Sequence, residues 1–286
     1  MSSDKNIGSG GGWQWRRRGL LQWVEITAVA ETEQVVHGFT TRNGGFSEKP
    51  FDSLNLGYHV GDDPTMVLNN RRRLSREAGF ELTQAVLAEQ VHGANVARVN
   101  RKEAGSGVYS LENTIKNCDA LITSDPGLIL LSLHADCPAV FILDPRSPAI
   151  GLVHAGWRGT VQLILQATLE AMKTAFGTNA GQCLAGISPA AGPCCYAVGL
   201  EIIEKWIEEG VPLAASAVRQ KNQDTWFFNL AEANRLILLA SGLLNRNIYI
   251  NPLCTVCNSD QFFSYRGVKG APTGRMGAFI ALRERP

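Results

Sequence analysis

Short apolar runs rich in β-branched residues recur along the chain and are interrupted by stretches with helical spacing. Residues 23–28, 35–40, 85–87, 128–133, 139–143 and 149–153 read as strands, and residues 183–187, 225–228, 248–250, 262–265 and 277–282 continue the series. Asp63 precedes a helix that carries Pro64 in its first turn and ends at Gly79. Residues 160–176 place Val161, Ile164, Leu165, Leu169, Met172 and Phe176 at helical spacing and stop at Gly177. Residues 200–207 and 230–239 repeat that pattern, with Gly242 closing the second. The runs at 128–133, 139–143 and 149–153 follow one another too closely for crossover helices, so the central block is predicted to be largely antiparallel. The pattern therefore predicts an α+β fold with a mixed or antiparallel sheet. Neither G-x-G-x-x-G after a strand nor G-x-x-x-x-G-K-[ST] occurs, which removes the usual dinucleotide and nucleoside-triphosphate readings.

Composition adds boundaries to this picture. The 286 residues suffice for one large domain, and 45% hydrophobic with 19% charged residues is ordinary for a globular protein. A formal net charge of +1 gives no general attraction to nucleic acid or to a membrane surface. The basic runs Arg16-Arg17-Arg18 and Arg71-Arg72-Arg73 read as solvated faces. No apolar stretch approaches the ~20 residues needed to span a bilayer. The polar, glycine-rich residues 1–12 read as a flexible leader, residues 13–286 as one catalytic domain, and the location as cytoplasmic. Seven cysteines in such a chain are buried apolar residues or metal ligands rather than disulfide staples.

The chemistry gathers at strand ends beside glycine-rich turns. His92 lies in Glu89-Gln90-Val91-His92-Gly93, and His154 opens His154-Ala155-Gly156-Trp157-Arg158-Gly159. Cys137 lies between them in His134-Ala135-Asp136-Cys137-Pro138. Two imidazoles and a thiolate suit zinc, and three protein ligands leave one position for water or substrate. Spacing alone also fits a buried cysteine with two histidines that close strand ends. Cys254-Thr-Val-Cys257 has C-x-x-C spacing, yet no second such pair completes four ligands, so it reads as a packed thiol pair. Cys194-Cys195 reads as structural. A zinc deaminase of the H-x-E and P-C-x-x-C type is not matched, because no H-x-E occurs. Arg42, Arg158 and Arg266 stand in turns where a guanidinium among backbone amides can bind an anion.

Six segments in order carry a resemblance. They are His37-Gly38-Phe39-Thr40-Thr41-Arg42-Asn43-Gly44-Gly45-Phe46-Ser47, Glu89-Gln90-Val91-His92-Gly93, Ala135-Asp136-Cys137, residues 151–159, Gly186-Ile187-Ser188-Pro189 and Phe263-Ser264-Tyr265-Arg266. Together they resemble the YfiH/YlmD family, also called the laccase-domain or polyphenol oxidase family, from about His37 to Leu282. The resemblance implies one domain with mixed, largely antiparallel sheets packed as a sandwich with flanking helices. It implies metal ligands at His92, Cys137 and His154. The activity it implies is zinc-dependent phosphorolysis of adenosine, inosine, guanosine and methylthioadenosine, with adenosine deamination as a second activity. In that reading purine nucleosides and inorganic phosphate are the partners, and Arg42, Arg158 or Arg266 holds the phosphate. Cys137 serves the metal, and Asp136 carries a proton or supports the ligand turn. The sequence departs from the family at one point: Pro138 follows Cys137 directly, where members read A-D-C-x-P. Two alternatives follow from the same residues. One is a copper-dependent polyphenol oxidase. The other is a non-catalytic metal-binding protein, with Cys118 or His134 as a fourth ligand.

Overall fold

A computed structural model of the chain describes residues 12–209, 216–222 and 224–284. Apart from Gly12, the expected leader lies outside the described residues. The chain runs through β1 (Trp13–Arg18), β2 (Leu21–Ile26), α1 (Thr27–Ala30), β3 (Val35–Thr40), α2 (Pro64–Ala78), β4 (Ala85–Leu87), β5 (Val96–Arg98) and β6 (Ala120–Thr123). The central block is β7 (Ile129–His134), β8 (Ala139–Asp144) and β9 (Ala149–His154), followed by α3 (Trp157–Val161), α4 (Ile164–Phe176) and β10 (Leu184–Ile187). The last part comprises β11 (Ala197–Val198), α5 (Leu200–Glu208), β12 (Val218–Asn222), β13 (Thr225–Phe228), α6 (Leu230–Ala240), β14 (Ile248–Ile250) and β15 (Met276–Leu282).

Two six-stranded sheets form the body, in the orders β1-β2-β3-β15-β7-β4 and β14-β10-β8-β9-β6-β5, with a small sheet β11-β13-β12 beside them. Most neighbours are antiparallel. The pairs β4–β7, β5–β6 and β10–β14 are parallel. The fold is α+β with mixed sheets, as the pattern predicts.

Side-chain alternation explains the layers. Leu130 of β7 and Ile280 of β15 face Phe141 and Leu143 of β8 and Leu152 of β9 in the core between the sheets. Ile129, Leu131 and Phe279 turn the other way, onto Leu74 and Ala78 of α2. Val140, Ile142 and Val153 turn onto Leu165, Leu169 and Met172 of α4 and Ile237 and Leu238 of α6. Both faces of these strands are thus covered, which is why they read as continuous apolar runs. The order of layers is helix, sheet, sheet, helices. Helix α2 begins and ends as its sequence predicts: Asp63 accepts the Thr65 N–H, and Gly79 has a φ of 77°. No helix among the described residues is long and apolar enough to cross a membrane.

Three sequence expectations differ from the structure. The single helix of residues 160–176 is two, because Leu163 adopts a left-handed backbone (φ 61°) between α3 and α4. Residues 262–265 form no strand; the Phe262 N–H closes a turn on the Asn258 carbonyl and the Phe263 N–H meets the Met276 sulfur, so these amides are not available to a ladder. Arg71 is not on a solvated face. It is 1% exposed, donates to the carbonyls of Leu56, Gly107 and Val108, and stacks on Tyr58.

Candidate metal centre

The ends of β7 and β9 meet at one rim of the sandwich, where Met276 of β15 pairs with His134 and Ala139 of β8 pairs with His154. Cys137 sits in the tight connection between β7 and β8. His92 sits in the segment that leaves β4, the parallel neighbour of β7. The ligating atoms of His92, Cys137 and His154 all lie within 4.8 Å of one another. His154 is buried, Cys137 intermediate and His92 exposed. Sequence-distant residues converge because three strand ends converge.

Local backbone geometry is unusual here. Gln90, His92 and Asp136 have φ values of 60°, 62° and 85°, a region that non-glycine residues seldom adopt. Each is held by specific bonds. The Gln90 side chain pairs with the Leu133 backbone through both its oxygen and its nitrogen, at 2.8 Å each. Asp119 accepts the backbone N–H groups of Val91, His92 and Gly93 at 3.1, 2.9 and 2.7 Å.

The same Asp119 carboxylate bonds His154 Nδ1 at 2.8 Å, leaving Nε2 as the nitrogen for a metal. One carboxylate therefore positions two ligands. Burial alone would raise its pKa, but His154 and the amides of Gly93 and His92 hold it below the usual carboxylate range. The site reading of the sequence overlooked Asp119. Its only trace there is a charged residue directly before the apolar run of β6, a place where a lone carboxylate would be costly.

Burial opposes ionisation of the Cys137 thiol, yet the His154 charge and hydrogen bonds from His154 and His92 bring it down to about 6. Burial likewise opposes protonation of His154, but Cys137 and Asp119 raise it to about 9. The metal-free protein thus carries a thiolate beside an imidazolium, a donor set ready for a cation that displaces the proton. Gly156 completes the cradle: a Cβ there would stand 3.1 Å from Cys137 Sγ, 3.2 Å from His92 and 3.7 Å from His154. The three donors fit zinc, and among the described residues no fourth joins them. His134 uses both ring nitrogens, on Ser132 Oγ at 2.7 Å and the Cys137 carbonyl at 3.0 Å. Cys118 bonds the Ile115 carbonyl, and burial raises its pKa to about 12. Pro138 does not disturb the ligand; its carbonyl accepts the Ala155 N–H.

The three donors open into a cavity of about 560 Å³ walled by Trp157, Tyr196, Tyr265, Arg266, Arg275 and His59 among others. Arg266 stacks on Tyr196 and donates to the Ala197 carbonyl. Asp136 lies on the wall, and its two oxygens accept the Thr255 hydroxyl (2.6 Å) and the Arg266 backbone N–H (2.7 Å). Arg42 and Arg158 are not among the lining residues. Arg42 binds Asp52 and the Ser259 carbonyl and stacks on Phe263, and Arg158 stacks on Trp157. Arg275 and His59 were not singled out from the sequence, although Gly274-Arg275-Met276-Gly277 and Gly57-Tyr58-His59-Val60-Gly61 carry the same glycine signal as the turns of Arg42 and Arg266. Desolvation, then the charges of Arg275 and Arg71, lower His59 to about 4, so it is neutral at pH 7.

Residues 36–283 match the family model described as multi-copper polyphenol oxidoreductase laccase. The chain belongs to this family. It is 40% identical over 249 residues to the purine nucleoside phosphorylase YlmD of Geobacillus stearothermophilus, covering 87% of this chain and 90% of the relative. It is 34% identical to the purine nucleoside phosphorylase YfiH of Escherichia coli K12, over 91% of this chain and 97% of the relative. The crystal structure of YlmD from Geobacillus stearothermophilus superposes with a TM-score of 0.88 and 36% identity, over 99% of this chain and 100% of the other. Thus the resemblance read from the six segments holds for sequence and fold alike.

Proposed function

We propose that the protein phosphorolyses purine nucleosides at one zinc ion held by His92, Cys137 and His154. The substrates are adenosine, inosine, guanosine and methylthioadenosine, with deamination of adenosine as a second activity. The observation that carries this reading is a three-donor constellation opening onto a cavity with aromatic and cationic walls. Relatives named as purine nucleoside phosphorylases support it. Zinc, when bound, supplies a Lewis acid that polarises an oxygen ligand.

The donor set favours zinc over copper. A blue-copper centre uses two histidines, a cysteine and a weak axial methionine. Here the Met276 sulfur takes the Phe263 N–H, and Met172 of α4 is packed in the core against β8 and β9. A multinuclear copper cluster needs further imidazoles, but His37 accepts the Ile26 N–H in the core and His134 is fully engaged.

The chain's own residues bind and orient. In phosphorolysis a phosphate oxygen bonds the ribose C1′ as the bond from C1′ to the purine nitrogen breaks, giving ribose 1-phosphate and a base that gains a proton. Arg266 and Arg275 hold the phosphate charge, and the faces of Trp157, Tyr196 and Tyr265 hold the base. Asp136 fixes the loop of Arg266 through Thr255 and the Arg266 amide. As a positioning residue, Asp136→Asn raises KM for phosphate and leaves the pH profile in place; a shifted profile assigns it proton transfer instead.

Adenosine incubated with the purified protein and phosphate should yield adenine and ribose 1-phosphate, and inosine with ammonia by deamination. Loss of these products in His92→Ala and Cys137→Ala, with the fold retained, supports the site. Turnover unchanged in Cys137→Ser, or stoichiometric copper with visible absorption and phenol oxidation, overturns it.

A further inference from the structure

The four cysteines that the sequence separates into a vicinal pair and a C-x-x-C pair come together on the structure. The sulfurs of Cys194, Cys195, Cys254 and Cys257 all lie within 4.8 Å of one another. Cys257 Sγ is 3.5 Å from Cys194 Sγ and 3.4 Å from Cys195 Sγ, well beyond the S–S bond of about 2.05 Å. Four sulfurs at about 2.3 Å from a tetrahedral ion stand about 3.8 Å apart. The quartet has that scale.

Its backbone setting fits as well. A bridge between Ala190 and Cys254, with Thr255 N–H on the Ala190 carbonyl, runs the two loops side by side. The Gly192 N–H points at Cys254 Sγ from 3.2 Å, and the amides of Val256 and Cys257 face the same sulfur. Amide donors of this kind stabilise a ligand thiolate. Gly192 packs flush on the cluster: a Cβ there would lie 3.1 Å from Cys254 Cβ and 3.4 Å from Cys194 Sγ. Cys254 is buried, Cys195 intermediate, and Cys194 and Cys257 exposed. An ion can therefore reach the sulfurs from solvent.

We propose that Cys194, Cys195, Cys254 and Cys257 bind a second, structural zinc ion as a closed tetrathiolate site. This proposal is independent of the reaction assigned to the first centre. The ion clamps the turn bearing Tyr196 to the loop bearing Thr255 and Arg266, and so stiffens one wall of the cavity. All four donors come from protein, which leaves no position for substrate.

Metal analysis of the full chain, purified anaerobically with a thiol reductant, tests the assignment. The expected result is about two zinc ions per chain, falling to about one in either His92→Ala/His154→Ala or Cys254→Ser/Cys257→Ser. The His92→Ala/His154→Ala chain keeps all four cysteines, so it decides the matter even where the serine variant fails to fold. Cobalt loaded into that chain should give an intense thiolate charge-transfer band, weakened in a further Cys194→Ser and lost when Cys254→Ser and Cys257→Ser are added. One zinc per chain that disappears with His92 and His154, no cobalt–thiolate band, or an iron chromophore overturns the proposal. So does an intact mass lower by two hydrogens at wild-type activity, which would make the quartet a dithiol–disulfide pair.

Discussion

Two clusters of soft ligands stand on this molecule, and they are built in opposite ways. The His92, Cys137 and His154 centre draws its donors from strand ends, is organised by the carboxylate of Asp119, and faces a cavity. The quartet of Cys194, Cys195, Cys254 and Cys257 draws its donors from two adjacent loops and is organised by backbone amides. Three donors of mixed type leave a coordination position for chemistry, whereas four thiolates close the sphere. In the two proposed roles, donor number, donor type and the space around the donors all differ together.

The contrast is broken most severely by Cys137→Ser, which should lower phosphorolysis by ~10³-fold, on the scale of removing a preorganised electrostatic group, while the thiolate quartet keeps its zinc. Product formation and zinc per chain, measured on one preparation, check this. Asp119→Asn removes the charge that orients His154 and should weaken zinc at the first centre by roughly 10–100-fold. Competition with a chromophoric chelator measures that loss, and an equal loss at both clusters would contradict it.

Proton release sharpens the comparison further. Between about pH 6 and 9 the metal-free first centre holds a Cys137 thiolate and a protonated His154. Zinc entry then expels one proton, from His154. Below about 6 the Cys137 thiol is protonated as well and further protons must leave the ligands, so affinity falls more steeply with acid; above about 9 His154 has none left to release and affinity levels off. Calorimetric titration of a Cys254→Ser/Cys257→Ser chain in buffers of different ionisation enthalpy counts the protons at pH 7.5. The smallest effect is expected from Gly156→Ala. Gly156 has φ −64°, which alanine adopts freely, so only the contact of the new methyl with the ligands acts. A loss of first-centre affinity below ~10-fold is expected by equilibrium dialysis, less than the change expected at Asp119. Gly192→Ala makes the matching perturbation at the quartet.

Much of the architecture was legible in the sequence. The strands of the central block and the caps of α2 follow from runs and caps, whereas strand-end turns marked His92, Cys137 and His154 only as one of two readings and the family resemblance selected them as ligands. The signal failed where tertiary contacts decide. The Arg71 guanidinium is buried because three carbonyls receive it, and a count of charged residues does not reveal carbonyls. Asp119 organises two ligands through backbone amides, which leave no mark in side-chain spacing. Arg42 and Arg266 both sit in turns, but only Arg266 reaches the cavity. The quartet escaped because a vicinal Cys194-Cys195 pair does not advertise the spacing that Cys254 and Cys257 do.

Strand β15 lies in the middle of the first sheet, between β3 and β7, although it comes last in sequence among the described strands. During synthesis, β3 and β7 must wait with unsatisfied edges until residues 276–282 leave the ribosome. Only then does Met276 align with His134 and draw the rim of the sandwich together. Chains interrupted before residue 276 would leave β3 and β7 without their shared neighbour and present unpaired sheet edges to one another.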